Sequence, residues 1–161
     1  MDYHAGDTVM HWMHGLGQVI RREKRDVLGH QALYYAVKVG EMVIWVPVDD
    51  NVGKRLRRPT PKVRFKRTVA LLSKPGDALP SDRHERKLLL AEYLKDGRVE
   101  SLVRVIRGLL AYKRVRALNE NDQAVMRRVQ SALLAEWGHV LSLTPAQAEL
   151  QLQSLMESAS S

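Results

Sequence analysis

Residues 81–116 read SDRHERKLLLAEYLKDGRVESLVRVIRGLLAYKRVR. A basic start is followed by an apolar stripe, a break at Asp96-Gly97 and a second amphipathic segment. The segment Leu102–Leu109 carries apolar residues at i, i+3, i+4 and i+7, the spacing that places them on one face of a helix. This stretch therefore predicts two helices that share a core.

Further helix signals lie on both sides of this stretch. A helix of modest length is expected from Lys62, and Ser81 is a candidate cap for the next one. Asn119 with Asp122, and Thr144-Pro145 with Gln147, have the spacing of capped helix starts. Residues 62–161 are therefore predicted to form an all-α bundle of about five helices.

The N-terminal part has a different pattern. Short β-branched and aromatic runs alternate with glycine-containing turns at Gly15-Leu16-Gly17, Leu28-Gly29-His30 and Gly40-Glu41. Such spacing is typical of a small β barrel or curled sheet. The expected fold class is α+β with segregated parts: a small N-terminal β barrel over residues 1–53, a basic linker over 54–61, and the helical domain.

Composition limits the function classes. The chain has 161 residues, a formal net charge of +8 and a pI near 10.0, which favours a polyanionic partner such as nucleic acid. It has no cysteine, which excludes disulfides, cysteine-zinc sites and thiol catalysis. No apolar run approaches the roughly 20 residues of a membrane span, and Met1-Asp2-Tyr3-His4 does not resemble a signal peptide. We expect a cytoplasmic, nucleoid-associated protein without a membrane partner.

Two basic stretches are candidate phosphate-binding surfaces. Lys54–Arg67 carries eight basic residues and no acid, although a solvated linker would look the same. A second cluster lies at a helix start, where positive charge opposes the helix dipole and so suggests an external anion. The candidate DNA-binding residues are Lys54, Arg55, Arg83, Arg86, Lys87, Arg127 and Arg128.

No catalytic or metal-binding pattern stands out. His11 and His14 are three residues apart and would point to opposite faces of a strand, with no third ligand cluster nearby. The glycines at 15 and 17 lack the pattern of a nucleotide-binding loop. We expect no catalytic residue, no metal, no cofactor and no small-molecule substrate, so the protein is not expected to be an enzyme.

The order and spacing of several segments resemble the CarD/CdnL family of bacterial transcription regulators. The resemblance covers nearly the whole chain. The segments that carry it are Ala5–Val9, His14–Gly17, Tyr34–Val37, Trp45–Val48, Asn51–Arg55, Tyr93–Gly97, Val103–Leu110 and Leu118-Asn119.

This resemblance implies a Tudor-like β domain that binds the RNA polymerase β subunit. It also implies a helical domain that contacts promoter DNA near the upstream edge of the melted bubble, and an influence on open-complex stability without cofactor or catalysis. The β domain is similar, too, to the polymerase-binding module of the transcription-repair coupling helicase, although no helicase motif is present.

The resemblance also suggests which residues act. Arg25 matches a basic polymerase-binding position of the family, while Trp45 stands where another basic residue is common. Trp45 precedes Val46-Pro47 on a predicted edge strand, since proline is confined to edges and strand ends. The polymerase-binding candidates are therefore Arg25, Trp45, Val46 and Pro47.

The family's helical domain often carries a tryptophan that wedges into the minor groove. Counting back from Asp96-Gly97 places that position near Arg83, and no tryptophan lies between Trp45 and Trp137. Without an apolar wedge, Arg83 could enter a narrow minor groove electrostatically. Two other functions remain open: an adaptor on RNA polymerase without direct DNA binding, and an RNA-binding accessory protein.

Overall fold

The computed structural model describes residues 2–159. The chain divides into two compact units, Met1–Pro59 and Thr60–Ser161. The first unit is a β-sheet and the second is helical, so the predicted α+β class with segregated parts is confirmed.

The first unit is built on a five-stranded antiparallel sheet in the order β4-β3-β2-β1-β5. Its core lies on one face of the curled sheet, where Val19, Tyr35, Val37 and Val46 are buried. One four-residue helix precedes the last strand. The elements are β1 (Thr8–His11), β2 (Gly15–Val27), β3 (His30–Val39), β4 (Met42–Pro47), α1 (Val52–Arg55) and β5 (Leu56–Arg57).

The turns of the sheet follow the glycines with one exception. Leu28 and Gly29 both have positive φ, at 51° and 79°, and close the hairpin between β2 and β3 with a tight turn that suits the strand twist. The predicted turn at Gly15–Gly17 is wrong, because these residues start β2 and pair with β1. Gly17 is needed there, since a Cβ atom would lie 2.8 Å from the Lys38 carbonyl oxygen.

The stretch expected as a basic linker, residues 54–61, contains the end of α1 and all of β5. Met10 and His11 of β1 pair with Arg57 and Leu56, and Leu56 is buried in the core of the sheet. The two units divide at Pro59–Thr60 instead. A two-residue strand is too short to show alternation in the sequence, which is why the pattern missed it.

The second unit packs its helices around one apolar core that includes Phe65, Leu90, Ile106, Leu133 and Trp137. Its helices are α2 (Lys62–Ala70), α3 (Arg83–Tyr93), α4 (Val99–Lys113), α5 (Glu120–Leu141) and α6 (Pro145–Ala159), with short 3₁₀ turns after α2 and α3. Five helices agree with the predicted bundle. Within residues 2–159, none of the helices is long and apolar enough to cross a membrane.

Side-chain caps fix where these helices start. Asn119 and Asp122 form a reciprocal capping box at α5, as the sequence predicts. The Thr144 hydroxyl likewise accepts from the Gln147 N–H at 3.2 Å at the start of α6. At α3 the cap is Asp82, whose carboxylate accepts from the Glu85 N–H at 3.0 Å, so the prediction of Ser81 is wrong by one residue.

Candidate functional site

One face of the sheet in the first unit points away from its core and carries a cationic and aromatic cluster. Arg21 of β2 pairs with Ala36 of β3, which pairs with Trp45 of β4, so the three side chains share this face. The small Ala36 leaves room for the indole ring. The guanidinium of Arg25 lies 4.1 Å from the ring centroid of Trp45, and that of Arg21 lies 5.4 Å from it.

We call this cluster the Trp45 face; it consists of Arg21, Arg25, Ala36 and Trp45. Its two arginines differ in the contacts that hold them. Arg21 is also paired with Glu23 at 2.6 Å, which neutralises part of its charge. Arg25 has no acidic partner among residues 2–159 and is held only by the ring. Cations over an indole are attracted by about 0.5–1 kcal/mol at exposed sites, so the ring presents Arg25 with its charge still available.

The Trp45 face adjoins an unpaired sheet edge. The Val48 N–H donates to the Leu33 carbonyl oxygen of β3 at 2.9 Å. Since antiparallel ladders alternate, the backbone groups of Val43, Trp45 and Pro47 point away from β3. β4 ends the sheet order, so in the described part of the chain no strand pairs with this side. The edge offers the N–H groups of Val43 and Trp45, whereas Pro47 offers only a carbonyl.

The structure therefore brings together three of the four predicted polymerase-binding residues. Arg25, Trp45 and Pro47 lie on the outer face of the sheet, next to its edge. The prediction for Val46 is wrong. Its side chain is 2% exposed and packs in the core, because successive strand residues alternate between faces. Sequence reasoning missed Arg21, although its spacing of four residues from Arg25 within one strand places both on the same face.

In the second unit, the start of α3 and the start of α5 form a shallow cleft of about 480 Å³. Three exposed side chains of α3 line one wall, and the first residues of α5 line the other. We call this the α3–α5 cleft; its lining residues are Arg83, His84, Lys87, Asn119, Glu120 and Asn121. Arg83 and Lys87 make no ion pair within residues 2–159, so their charges are available to an anion.

Arg86 lies between these residues in sequence but not in space. Its side chain is 3% exposed and its guanidinium makes two 2.9 Å hydrogen bonds to the Asp122 carboxylate. It also donates to the carbonyl oxygens of Pro80 and Ser81 and lies 4.2 Å from the ring centroid of Tyr112. The prediction that Arg86 contacts DNA is wrong, because the helix turns it inward.

The buried Arg86 instead positions the cleft. Asp122 belongs to the capping box of α5, so its pairing with Arg86 ties the start of α3 to the start of α5. The hydrogen bonds that Arg86 donates to the Asp122 carboxylate raise the pKa of Arg86, so its guanidinium stays charged although it is buried. The exposed Arg83 and Lys87 are thereby held at a fixed distance from the α5 start.

The remaining predicted DNA-binding residues are distributed over both units. Arg127 lines a second surface cavity of about 660 Å³ together with Lys113 and Leu118. Arg128 is exposed. Lys54 and Arg55 belong to α1 of the first unit, and Arg55 is paired with Asp49 at 2.7 Å. The basic run Lys54–Arg67 is therefore divided between the two units at Pro59–Thr60.

The two histidines near the first turn form a stacked pair, with ring centroids 5.0 Å apart. Nδ1 of His11 accepts from the N–H groups of Met13 and His14, both at 3.1 Å. Burial, together with the neighbouring His14, lowers the pKa of His11 to about 4. Among residues 2–159 no group of three possible ligands stands close enough to hold a metal ion, and this pair serves the turn.

The first unit is similar to a domain of known proteins. Residues 3–59 match the family model of the CarD-like/TRCF RID domain. Over 147 residues the chain is 20% identical to the protein named "Putative transcription factor YdeB" of Bacillus subtilis (strain 168), an alignment that covers 90% of this chain and 96% of that relative.

The matched residues coincide with nearly all of the first unit, including the Trp45 face and the β4 edge. This match points to a transcription-related domain of the kind that interacts with RNA polymerase. Residues 3–59 are therefore similar to the CarD-like/TRCF RID domain, and the resemblance of this chain to the CarD-like regulators is confirmed.

Proposed function

We propose that this protein is a transcription regulator that binds the RNA polymerase β subunit through its first unit and promoter DNA through its second. The DNA contact lies near the upstream edge of the melted bubble, on the phosphate backbone and minor groove. Together the two contacts change the stability of the open complex. The protein acts without cofactor or catalytic step, in the cytoplasm and associated with the nucleoid.

The observation that carries the polymerase contact is the Trp45 face beside the β4 edge, within a domain of the CarD-like/TRCF RID family. An unpaired strand edge accepts a partner strand through main-chain hydrogen bonds, and side chains on the adjoining face supply specificity. Trp and Arg are the residue types most often found at the energetic centres of interfaces. Arg25, held on the indole of Trp45, would meet an acidic group of the partner.

The DNA contact is supported by the charge of the second unit and by the α3–α5 cleft. Residues 60–161 carry 17 basic and 11 acidic residues, a net charge of +6, whereas residues 1–59 carry 9 and 7, a net charge of +2. Arg83 and Lys87 are exposed and lack acidic partners in the described chain. Phosphate binding depends on such available cations, because each neutralised phosphate releases condensed counterions.

The strand edge is tested by removing one backbone donor. Val43→Pro deletes the N–H that points away from β3, and the ladder between β3 and β4 keeps all of its bonds. We expect this variant of the full chain to bind purified RNA polymerase about tenfold more weakly, from the lost hydrogen bond and the clash with an added strand. Binding is measured by surface-immobilised titration.

Val43→Ala is the matched control, because it removes the same side chain but keeps the N–H group. It should bind within about twofold of the unchanged protein. Circular dichroism of both variants verifies that the sheet is retained. Equal binding by all three proteins would show that polymerase does not pair with this edge.

A further inference from the structure

The second unit has an open groove on the side formed by α2, the end of α5 and α6, with a volume of about 650 Å³. It is a different surface from the α3–α5 cleft, with which it shares no lining residue. Its floor contains Trp137 and Leu141, and its α6 wall contains Leu150 and Leu155. Leu150 is 71% exposed, an unusual position for a large apolar side chain beside an apolar cavity.

The floor of this groove is rigid and has no unsatisfied indole donor. Trp137 packs edge-on against Phe65, with ring centroids 5.8 Å apart, and its own exposure is 1%. Its indole N–H donates to the Gln151 side-chain oxygen at 2.9 Å. A ligand that enters the groove therefore meets apolar surface and gains little from hydrogen bonding to the floor.

The α2 wall carries the charge. Lys62 and Lys66 are one helical turn apart, are exposed, and make no ion pair within residues 2–159. No acidic residue lines the groove, and Glu149 and Glu157 of α6 are both absent from its walls. An apolar floor beside two available ammonium groups is complementary to a molecule that is apolar on one side and acidic at its flank.

The walls also limit the form of that molecule. They are helices, whose backbone groups are bonded internally, so the groove offers a partner only side chains. A partner that arrives as a strand would leave its own N–H and C=O groups unpaired, whereas a helix satisfies them itself. Amphipathic helices bind apolar grooves in this way, through anchors at i, i+3, i+4 and i+7.

We propose that this groove is a docking site for an amphipathic helix of a partner protein, with apolar anchors on one face and acidic residues along the flank that meets Lys62 and Lys66. The acids would be spaced three or four residues apart, to match the two lysines. This proposal is independent of the polymerase and DNA contacts.

A peptide display library tests the partner's chemistry without assuming its sequence. About 18-residue amphipathic helices, five turns long, carry random apolar anchors and flanking positions that are randomly acidic or basic. After selection on the full chain, we expect acids to be enriched at the flank at i, i+3 or i+4 spacing. Enrichment of basic flanks, or no enrichment of binders, would overturn the proposal.

Two pairs of variants locate the binding. For selected peptides we expect Lys66→Glu to weaken binding about tenfold and Leu150→Gln by a similar factor. Lys95→Glu and Leu88→Gln make the same chemical changes at exposed positions outside the groove, and should have less than about a twofold effect. An equal loss of peptide affinity in the groove variants and in the control variants would contradict docking in the groove.

Decanoate separates a peptide from a small amphiphile, because it too is apolar with one negative charge. We expect it to compete with the selected peptides only at millimolar concentration. If decanoate instead displaces them at micromolar concentration, the groove is a site for an anionic amphiphile and the proposal of a helical partner is wrong.

Discussion

The two units hold their arginines in opposite ways. In the first unit, Arg25 stays at the surface because it lies on the ring of Trp45, 4.1 Å from its centroid. In the second unit, Arg86 is buried and bonded to Asp122, while Arg83, three residues earlier, is exposed. The first unit orients Arg25 by stacking it on an aromatic ring. The second unit uses the buried Arg86 to position exposed basic residues of the same helix.

This difference shows that a run of basic residues in a sequence is not yet a surface. Helix phase separates Arg86 from Arg83 and Lys87, and the boundary between the units divides the run Lys54–Arg67 after Arg58. What a cation can bind depends on whether the fold has already given it a partner.

The largest effect is expected from Arg86→Ala. It leaves the Asp122 carboxylate buried without its partner and frees the Pro80–Ser81 carbonyls, so the free energy of unfolding of the second unit should fall by about 3–5 kcal/mol. Urea unfolding followed by far-UV circular dichroism measures this loss.

Arg83→Ala is the control on the same helix, and should change the free energy of unfolding by less than about 0.5 kcal/mol. If Arg86→Ala proved no more destabilising than Arg83→Ala, the buried pair would not hold α3 to α5, and the contrast between the two arginines would be lost.

The next effect concerns DNA. Arg83→Ala with Lys87→Ala should weaken binding to a promoter duplex and lower the slope of log affinity against log salt by about 1.8, since each phosphate contact contributes about 0.9. Fluorescence anisotropy at several salt concentrations gives both quantities. Folding should be unaffected, as neither side chain has a partner in residues 2–159.

Arg67→Ala with Arg98→Ala is the matched control, because it removes the same charge at two exposed positions outside the cleft that make no ion pair within residues 2–159. An equal loss of slope in this control would mean that DNA responds to net charge and not to the α3–α5 cleft. A single-stranded RNA competitor is included, and stronger binding of RNA than of duplex would favour an RNA-binding accessory protein.

Much of the fold could be predicted because its signals are local. Runs of β-branched and aromatic residues between glycine turns mark β3 and β4, and the capping residues Asn119 and Thr144 mark two helix starts. The role of Arg86 depends instead on contacts with a residue 36 positions away. One local signal did exist, since Arg86 precedes the buried Leu90 and Leu94 by one and two helical turns.

The sites were harder to predict than the fold for the same reason. Arg25 was found through the family resemblance, and Trp45 through its place before Val46-Pro47 on a predicted edge strand. The stacking between them depends on the register of three strands. Val46 was included because it adjoins Trp45 in the sequence, whereas the strand places it on the opposite face. The groove beside Lys62 joins α2 to α6, which no sequence pattern relates.

The smallest expected effect is on the pH dependence of stability, which should differ between the two units. The folded-state pKa of His11 is about 4, below the ordinary value of 6.5. Between these values the unfolded chain binds a proton that the folded chain does not, so the first unit loses stability as pH falls from 6.5 towards 4. Hydrogen exchange of core amides of the first unit measures this loss.

His11→Asn keeps a side-chain acceptor for the turn but does not titrate. Its first unit should therefore be less sensitive to pH over this range than that of the unchanged protein, while the second unit responds equally in both. A first unit that shows the same pH dependence with and without His11 would contradict this account of the turn.

We expect the Trp45 face of the first unit to bind RNA polymerase, and a pair of charge reversals distinguishes this face from the opposite face of the sheet. Arg25→Glu reverses the charge on that face. Lys24→Glu makes the same change at the preceding residue, whose side chain points to the opposite face. Titration of purified polymerase with the full chain should show at least about a tenfold loss for Arg25→Glu and less than about twofold for Lys24→Glu. Equal affinity of the two variants would contradict the account.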